Sequence, residues 1–79
     1  MRSEQGLDEI HVGALLMDKR SGRTGIVVND EGQSIQLQPP AGGNGWEASP
    51  EDLRPADARE RLQAKVAVIN ARARRRRIL

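Results

Sequence analysis

The chain has 79 residues, one aromatic side chain and no cysteine. A chain of this length forms one domain with a thin hydrophobic core, which Val, Ile, Leu and Met must supply here. The lack of cysteine excludes disulfides and thiolate metal sites and favours a reducing, cytoplasmic compartment. Because no apolar run approaches the roughly 18 residues needed to span a bilayer, we expect no membrane association.

Charge is distributed unevenly along the chain. Residues 1–58 contain five basic and ten acidic residues, a net charge of −5. Residues 59–79 contain eight basic residues and one acidic residue, a net charge of +7. The sequence therefore predicts an acidic body followed by a basic tail.

Residues 1–10 are polar and are interpreted as a flexible N-terminal arm. Four short apolar runs follow at 12–17, 24–29, 34–38 and 45–49, separated by segments that contain Gly, Asp or Pro. This spacing is typical of an antiparallel meander. We expect a mainly β fold in which residues 11–55 form a small antiparallel β-barrel of four to five strands, and residues 56–79 form a basic helix with an arginine-rich tail.

Alternation of apolar and polar residues assigns the faces of the strands. The predicted core consists of Leu15, Met17, Ile26, Val28, Ile35, Leu37 and Trp46. Ser34, Gln36 and Gln38 should then face solvent. The segment PEDLRP (50–55) is predicted to form a single helical turn, with Leu53 closing the end of the barrel.

The segment GRTGIVVND (22–30), preceded by VGALLMDKRS (12–21), resembles the core of a KOW motif. Together they resemble the opening of a small Src-homology-three-like barrel of the KOW/Tudor type over residues 11–55. That resemblance implies binding to the ribosome, RNA or a transcription complex through loops of the barrel. Asp18 departs from the pattern, because KOW repeats usually carry glycine near this position. The residues of PP-GG-W-E-PEDLRP also resemble small uncharacterised proteins of high-GC bacteria, which implies no function.

Two glycines and one tryptophan in this half each allow two interpretations. Gly22 and Gly25 belong to the KOW-like pattern, but a tight hairpin that needs positive φ also requires glycine. Trp46 follows a glycine-rich loop and is a possible stacking surface for a base or a proline-rich peptide. The single Trp of a small protein is more often its largest core residue.

A helix is predicted from Asp57 to about Arg75. Asp57 and Glu60 form a capping-box pattern at its start. Leu62, Val66, Ile69 and Ala73 recur at intervals of four, three and four residues, and we call this narrow apolar stripe the seam. The seam could pack on the chain's own barrel, or on another subunit or partner.

The end of the chain, NARARRRRIL, is dense in guanidinium groups, which suit bidentate contacts with phosphate. The candidate nucleic-acid-binding residues are Arg61, Lys65, Arg72, Arg74, Arg75, Arg76 and Arg77. No aromatic residue is interleaved among them, so any such binding should follow the backbone and depend on salt. Two other interpretations of this arginine-rich end are that it binds an acidic protein partner, or that it is a solvated tail without a specific role.

Catalytic chemistry is not expected. The single histidine, His11, has no candidate partner for metal binding, and no serine has a His or Asp at a suggestive spacing. We therefore predict no catalytic residue, no metal, no cofactor and no small-molecule substrate. The leading hypothesis is a non-catalytic binding module for nucleic acid or a ribonucleoprotein, and the alternative is a protein–protein adaptor or homo-oligomer that uses the seam and the barrel surface.

Overall fold

The computed structural model describes residues 10–77, and side chains within residues 10–74. Nine of the ten residues of the predicted arm, 1–9, lie outside the described residues. Ile10 is described, and it packs against the hydrophobic core instead of belonging to an arm.

The described chain contains five strands, one 3₁₀ turn and one α-helix. In chain order they are β1 (Leu15–Asp18), β2 (Arg23–Asn29), β3 (Ile35–Gln38), β4 (Trp46–Ala48), the 3₁₀ turn (Pro50–Asp52), β5 (Leu53–Pro55) and α1 (Ala58–Arg77).

The strands form one antiparallel sheet in the order β4-β3-β2-β1-β5. Leu16 pairs with Gly25 across β1 and β2, and Val27 pairs with Leu37 across β2 and β3. Among the described residues, β4 and β5 are the edges of this sheet and do not pair with each other. The mainly β fold with a C-terminal helix is therefore confirmed, whereas closure of the sheet into a barrel stays a prediction.

One face of the sheet carries the core. Leu16, Val27 and Leu37 are its most deeply buried side chains, with Ile35, Ala48 and Leu53 around them. On β3 the predicted alternation is confirmed, because Ile35 and Leu37 are buried while Gln36 and Gln38 are exposed. Ser34 is half-buried rather than solvent-facing.

The predicted faces of β1 and β2 are wrong by one residue. Leu16 is buried in place of the half-buried Leu15 and Met17. Val27 is buried in place of Val28, which is exposed. The reason is that the outer face of the sheet is also covered in part, by α1, so apolar residues lie on both faces and their alternation does not distinguish the two.

The segment 50–55 is divided between two elements. Its first half forms the 3₁₀ turn, and its second half forms β5, which pairs with β1 through Asp18 and Leu53 and through Leu16 and Pro55. The prediction of one helical turn was therefore wrong for residues 53–55. Leu53 is buried in the core, and its role in closing the end of a barrel stays a prediction.

The two glycines of the KOW-like segment serve different purposes. Gly22 has φ 73° in the β1–β2 hairpin, so the predicted need for positive φ is confirmed there. Gly25 lies within β2, and its φ is not positive. An added Cβ there would lie 2.8 Å from Trp46 Cη2 and 2.9 Å from Leu37 Cβ, so close packing requires glycine.

Candidate binding surface

Helix α1 is fixed to the sheet at its first turn. The backbone N–H of Glu60 donates to Asp57 Oδ1 at 2.8 Å, and the backbone N–H of Asp57 donates to Glu60 Oε1 at 2.9 Å, so the predicted capping box is confirmed. Arg54 of β5 also donates to both carboxylate oxygens of Glu60, at 2.9 and 2.7 Å. The helix therefore leaves the last strand in a defined direction.

These contacts change the acid–base properties of the pair. The hydrogen bonds from Arg54, followed by the one from the backbone N–H of Asp57, lower the pKa of Glu60 to about 2. The hydrogen bond with Glu60 is also the largest influence on the pKa of Arg54, which is raised. The Glu60 carboxylate stays ionised at neutral pH and neutralises a cation of the sheet.

The described cations of α1 are exposed and point in different directions. Arg61, Lys65 and Arg72 share one side of the helix, because their positions fall within about 40° of each other at roughly 100° per residue. We call these three residues the basic ridge. Arg74 lies on the far side, roughly 140° to 180° from each member of the ridge. The side chains of Arg75, Arg76 and Arg77 lie outside the described residues, although their backbone continues the helix.

The acidic body does not neutralise the described cations of the helix. Among residues 10–74, the one ion pair joins Arg54 to Glu60. Arg61, Lys65 and Arg72 are exposed and form no salt bridge with a described carboxylate. Within this part of the chain, the charge segregation of the sequence therefore becomes a cationic surface.

The seam is exposed. Leu62, Val66 and Ile69 retain 61%, 46% and 61% of their accessible surface, and Ala73 is exposed as well. The half-buried Ala64, Val68 and Ala71 occupy the side of α1 that lies nearer the sheet. Leu62, Val66 and Ala73 are therefore exposed rather than packed on the chain's own sheet, whereas Ile69 also lines the groove between α1 and the sheet. Packing of the seam on another molecule stays a prediction.

An apolar groove separates α1 from the outer face of the sheet. Its volume is about 370 Å³. Leu15 and Ile26, which pair across β1 and β2, lie on the sheet side, and Ala64 and Val68 lie on the helix side. Arg61 and Lys65 of the basic ridge also line it. Cations and apolar side chains thus meet at one place on the surface.

Trp46 contacts two side chains, Asp18 and Arg23, that the sequence did not identify as its partners. Its indole N–H donates to Asp18 Oδ2 at 2.9 Å, and the guanidinium carbon of Arg23 lies 4.1 Å from the ring centroid. Trp46 is half-buried and packs against the core, with Gly25 leaving room for its ring. The geometry agrees with the core interpretation, and the stacking role stays a prediction.

Asp18 is the buried polar residue of this cluster, with 4% of its surface accessible. Besides the indole, it accepts hydrogen bonds from the backbone N–H of Arg20 and the hydroxyl of Ser21, both at 3.0 Å. Burial raises the pKa of Asp18, but the hydrogen bonds from Trp46, Ser21 and Arg20 outweigh it, so the pKa lies below its ordinary value. The sequence contained a signal for this, since Asp at the start of a polar turn ending in Gly often bonds to the following backbone.

No group of three or more His, Asp or Glu side chains that could hold a metal ion occurs in residues 10–74. His11 is exposed, and its Nδ1 lies 3.1 Å from the carbonyl oxygen of Val12. Within the described residues, no helix is both long enough and apolar enough to cross a membrane.

Comparison with models of protein families, with curated proteins and with solved structures finds no match to this chain.

Proposed function

We propose that this protein is a non-catalytic binding module whose helix α1 attaches it to the phosphate backbone of a nucleic acid or a ribonucleoprotein. The observation that carries this proposal is the unpaired state of the helix cations within residues 10–74, where the one ion pair joins Arg54 to Glu60. Unneutralised guanidinium groups are well suited to bidentate phosphate contacts. The sequence adds Arg75, Arg76 and Arg77 directly after this region.

The sheet has a supporting role in this proposal. The resemblance of residues 22–30 to a KOW motif and the order of the five strands are both compatible with a small Src-homology-three-like barrel. In that interpretation the sheet forms a rigid body, and the ion pair between Arg54 and Glu60 sets the direction in which α1 presents its cations.

The test is fluorescence anisotropy of labelled single-stranded RNA and duplex DNA with the full chain at about 50 and 200 mM salt. The double variant Arg72→Glu/Arg74→Glu should weaken binding and reduce the slope of log K against log salt by about 1.4 for a single strand. The matched control is Lys19→Glu/Arg20→Glu, which makes the same charge change in the exposed β1–β2 loop. Equal losses from the two double variants would show that net charge, and not the helix, determines binding.

A second function is favoured by the exposure of the seam. Leu62, Val66 and Ile69 form an apolar stripe on α1 whose side chains are exposed. Apolar stripes of this kind commonly mark contacts between proteins. The alternative proposal is therefore an adaptor or homo-oligomer that buries the seam.

Sedimentation of the wild type and of Ile69→Asp tests for the homo-oligomer. If the seam holds subunits together, the wild type should sediment as an oligomer and the variant as a monomer. A monomeric wild type at high concentration would exclude self-association and leave only a different protein as the partner of the seam.

A further inference from the structure

The groove between α1 and the sheet is not filled by the helix side chains that line it. Ala64, Val68 and Ile69 line it with apolar side chains, whereas Leu62 and Val66 do not line it. The ion pair between Arg54 and Glu60 holds the first turn of α1 on the sheet. Beyond that turn the alanine side of the helix does not fill the space above β1 and β2, and an open volume of about 370 Å³ remains.

The surroundings of the groove define the chemistry of its ligand. Leu15 and Ile26 provide branched aliphatic walls, and Pro40 of the β3–β4 loop adds a further apolar surface. Arg61 and Lys65 are its only charged lining residues within the described part of the chain. A complementary ligand therefore carries aliphatic side chains next to carboxylates.

We propose that this groove binds an acidic segment of another protein, which inserts one or two leucine-type side chains and sets its carboxylates against Arg61 and Lys65. Helical peptides commonly bind grooves through such apolar anchors. This site goes beyond the attachment to phosphate, since it uses the apolar groove and needs neither Arg74 nor the arginines that follow it.

Charge complementarity favours an acidic protein segment over two other occupants, a second copy of this chain and a nucleic acid. Among the described residues, a second copy exposes its leucine-type side chains, Leu62 and Ile69, on its own helix, where residues 58–74 contain five cations and one acidic residue, Glu60, that is already paired with Arg54. A nucleic acid would satisfy Arg61 and Lys65 but would offer no aliphatic side chains to the groove. A segment with both carboxylates and aliphatic side chains matches the two cations and the apolar walls of the groove.

The test uses the full chain and a fluorescein-labelled peptide of about twelve residues, with leucine at every third or fourth position and glutamate elsewhere. A control peptide has serine in place of each leucine. Binding is measured by anisotropy for the wild type and three variants. Ala64→Phe fills the groove, and Lys65→Glu reverses a charge of its lining. The control variant Arg59→Glu makes the same charge change about 120° around the helix from Lys65. Thermal unfolding by circular dichroism establishes that each variant is folded.

We expect Ala64→Phe and Lys65→Glu each to weaken binding of the leucine peptide about tenfold or more, and Arg59→Glu less than about twofold. The serine peptide should bind at least about tenfold more weakly than the leucine peptide. Ala64→Phe should leave binding of a labelled oligonucleotide unchanged, which separates this proposal from the attachment to phosphate. Equal affinity for the two peptides, or equal effects of Lys65→Glu and Arg59→Glu, would overturn the proposal.

Discussion

Replacing Asp18 by Asn should destabilise the protein although the two side chains have nearly the same shape. Asp18 Oδ2 accepts from the indole of Trp46 and the hydroxyl of Ser21, and Oδ1 accepts from the backbone N–H of Arg20. The asparagine amide has one oxygen and one NH₂ group, and the NH₂ group cannot accept a hydrogen bond. Either orientation of the amide therefore leaves at least one of these donors facing another donor.

The size of the effect follows from the charge and burial of the carboxylate. A hydrogen bond to a charged group contributes about 1.5–3 kcal/mol, and the variant loses at least one such bond and weakens the others. We expect Asp18→Asn to reduce the free energy of unfolding by about 2–3 kcal/mol. A protein of this length has a total stability of about 4–12 kcal/mol, so the loss is a large fraction of it.

The pH dependence separates this mechanism from a general packing defect. The pKa of Asp18 is lower in the folded chain than the value of about 3.9 expected when unfolded. Its contribution to stability is therefore complete above about pH 4 and is lost as the pH falls through the lowered pKa of the folded state. Urea unfolding, followed by the fluorescence of Trp46 and by circular dichroism, should show that Asp18→Asn and wild type differ at pH 7 and converge in acid.

The control is Asp30→Asn, which makes the same chemical change at an exposed carboxylate in the β2–β3 turn. It should change the free energy of unfolding by less than about 0.5 kcal/mol. The reasoning fails if Asp18→Asn is as stable as the wild type at pH 7, or if its deficit is the same at pH 7 and in acid.

Three further changes test other contacts. Because the pKa of Glu60 is about 2 in the folded chain, the stability that its pairing with Arg54 contributes should be lost as the pH falls from about 4.5 to about 2, and Glu60→Gln should remove that component from the acid-unfolding curve measured by circular dichroism. Gly25→Ala should cost about 1–3 kcal/mol in urea unfolding, since its Cβ would lie 2.8 Å from Trp46 Cη2, and a neutral result would contradict this packing. Leu62→Gln should change stability by less than about 0.5 kcal/mol, because this side chain is 61% exposed, and a larger loss would show that the seam is covered.

Local patterns in the sequence were sufficient for several elements. The alternation Ile35–Gln38 gave the correct faces of β3, since only one of its faces is apolar. Asp57 and Glu60 gave the correct start of α1, because a capping box is formed by residues three positions apart. Both features depend on neighbours in the chain.

The faces of β1 and β2 could not be predicted in the same way. VGALLM and GIVV are apolar at successive positions, and the structure uses both sets: Leu16 and Val27 in the core, Leu15 and Ile26 under α1. Only the position of the helix decides which set lies inside.

The environment of Trp46 depends on contacts between distant residues. Its partners Asp18 and Arg23 are separated from it by 28 and 23 positions, respectively. The sequence identified Trp46 as a core residue but contained no spacing rule that joins β4 to the first hairpin. Likewise, the seam was recognised from its spacing, but its exposure depends on α1 turning Ala64 and Val68 toward the sheet.

The side of α1 that faces the sheet carries the small residues Ala64 and Ala71, and this affects the motions of the protein. A methyl group buries little apolar area, so the turns after Glu60 gain little free energy from lying against β1 and β2. Lifting these turns away would break few contacts, while the first turn stays bound through Arg54 and the capping box. Amide hydrogens beyond Ala64 should therefore exchange with solvent far sooner than those of Leu16 and Leu37, and a ligand that fills the groove would slow that exchange.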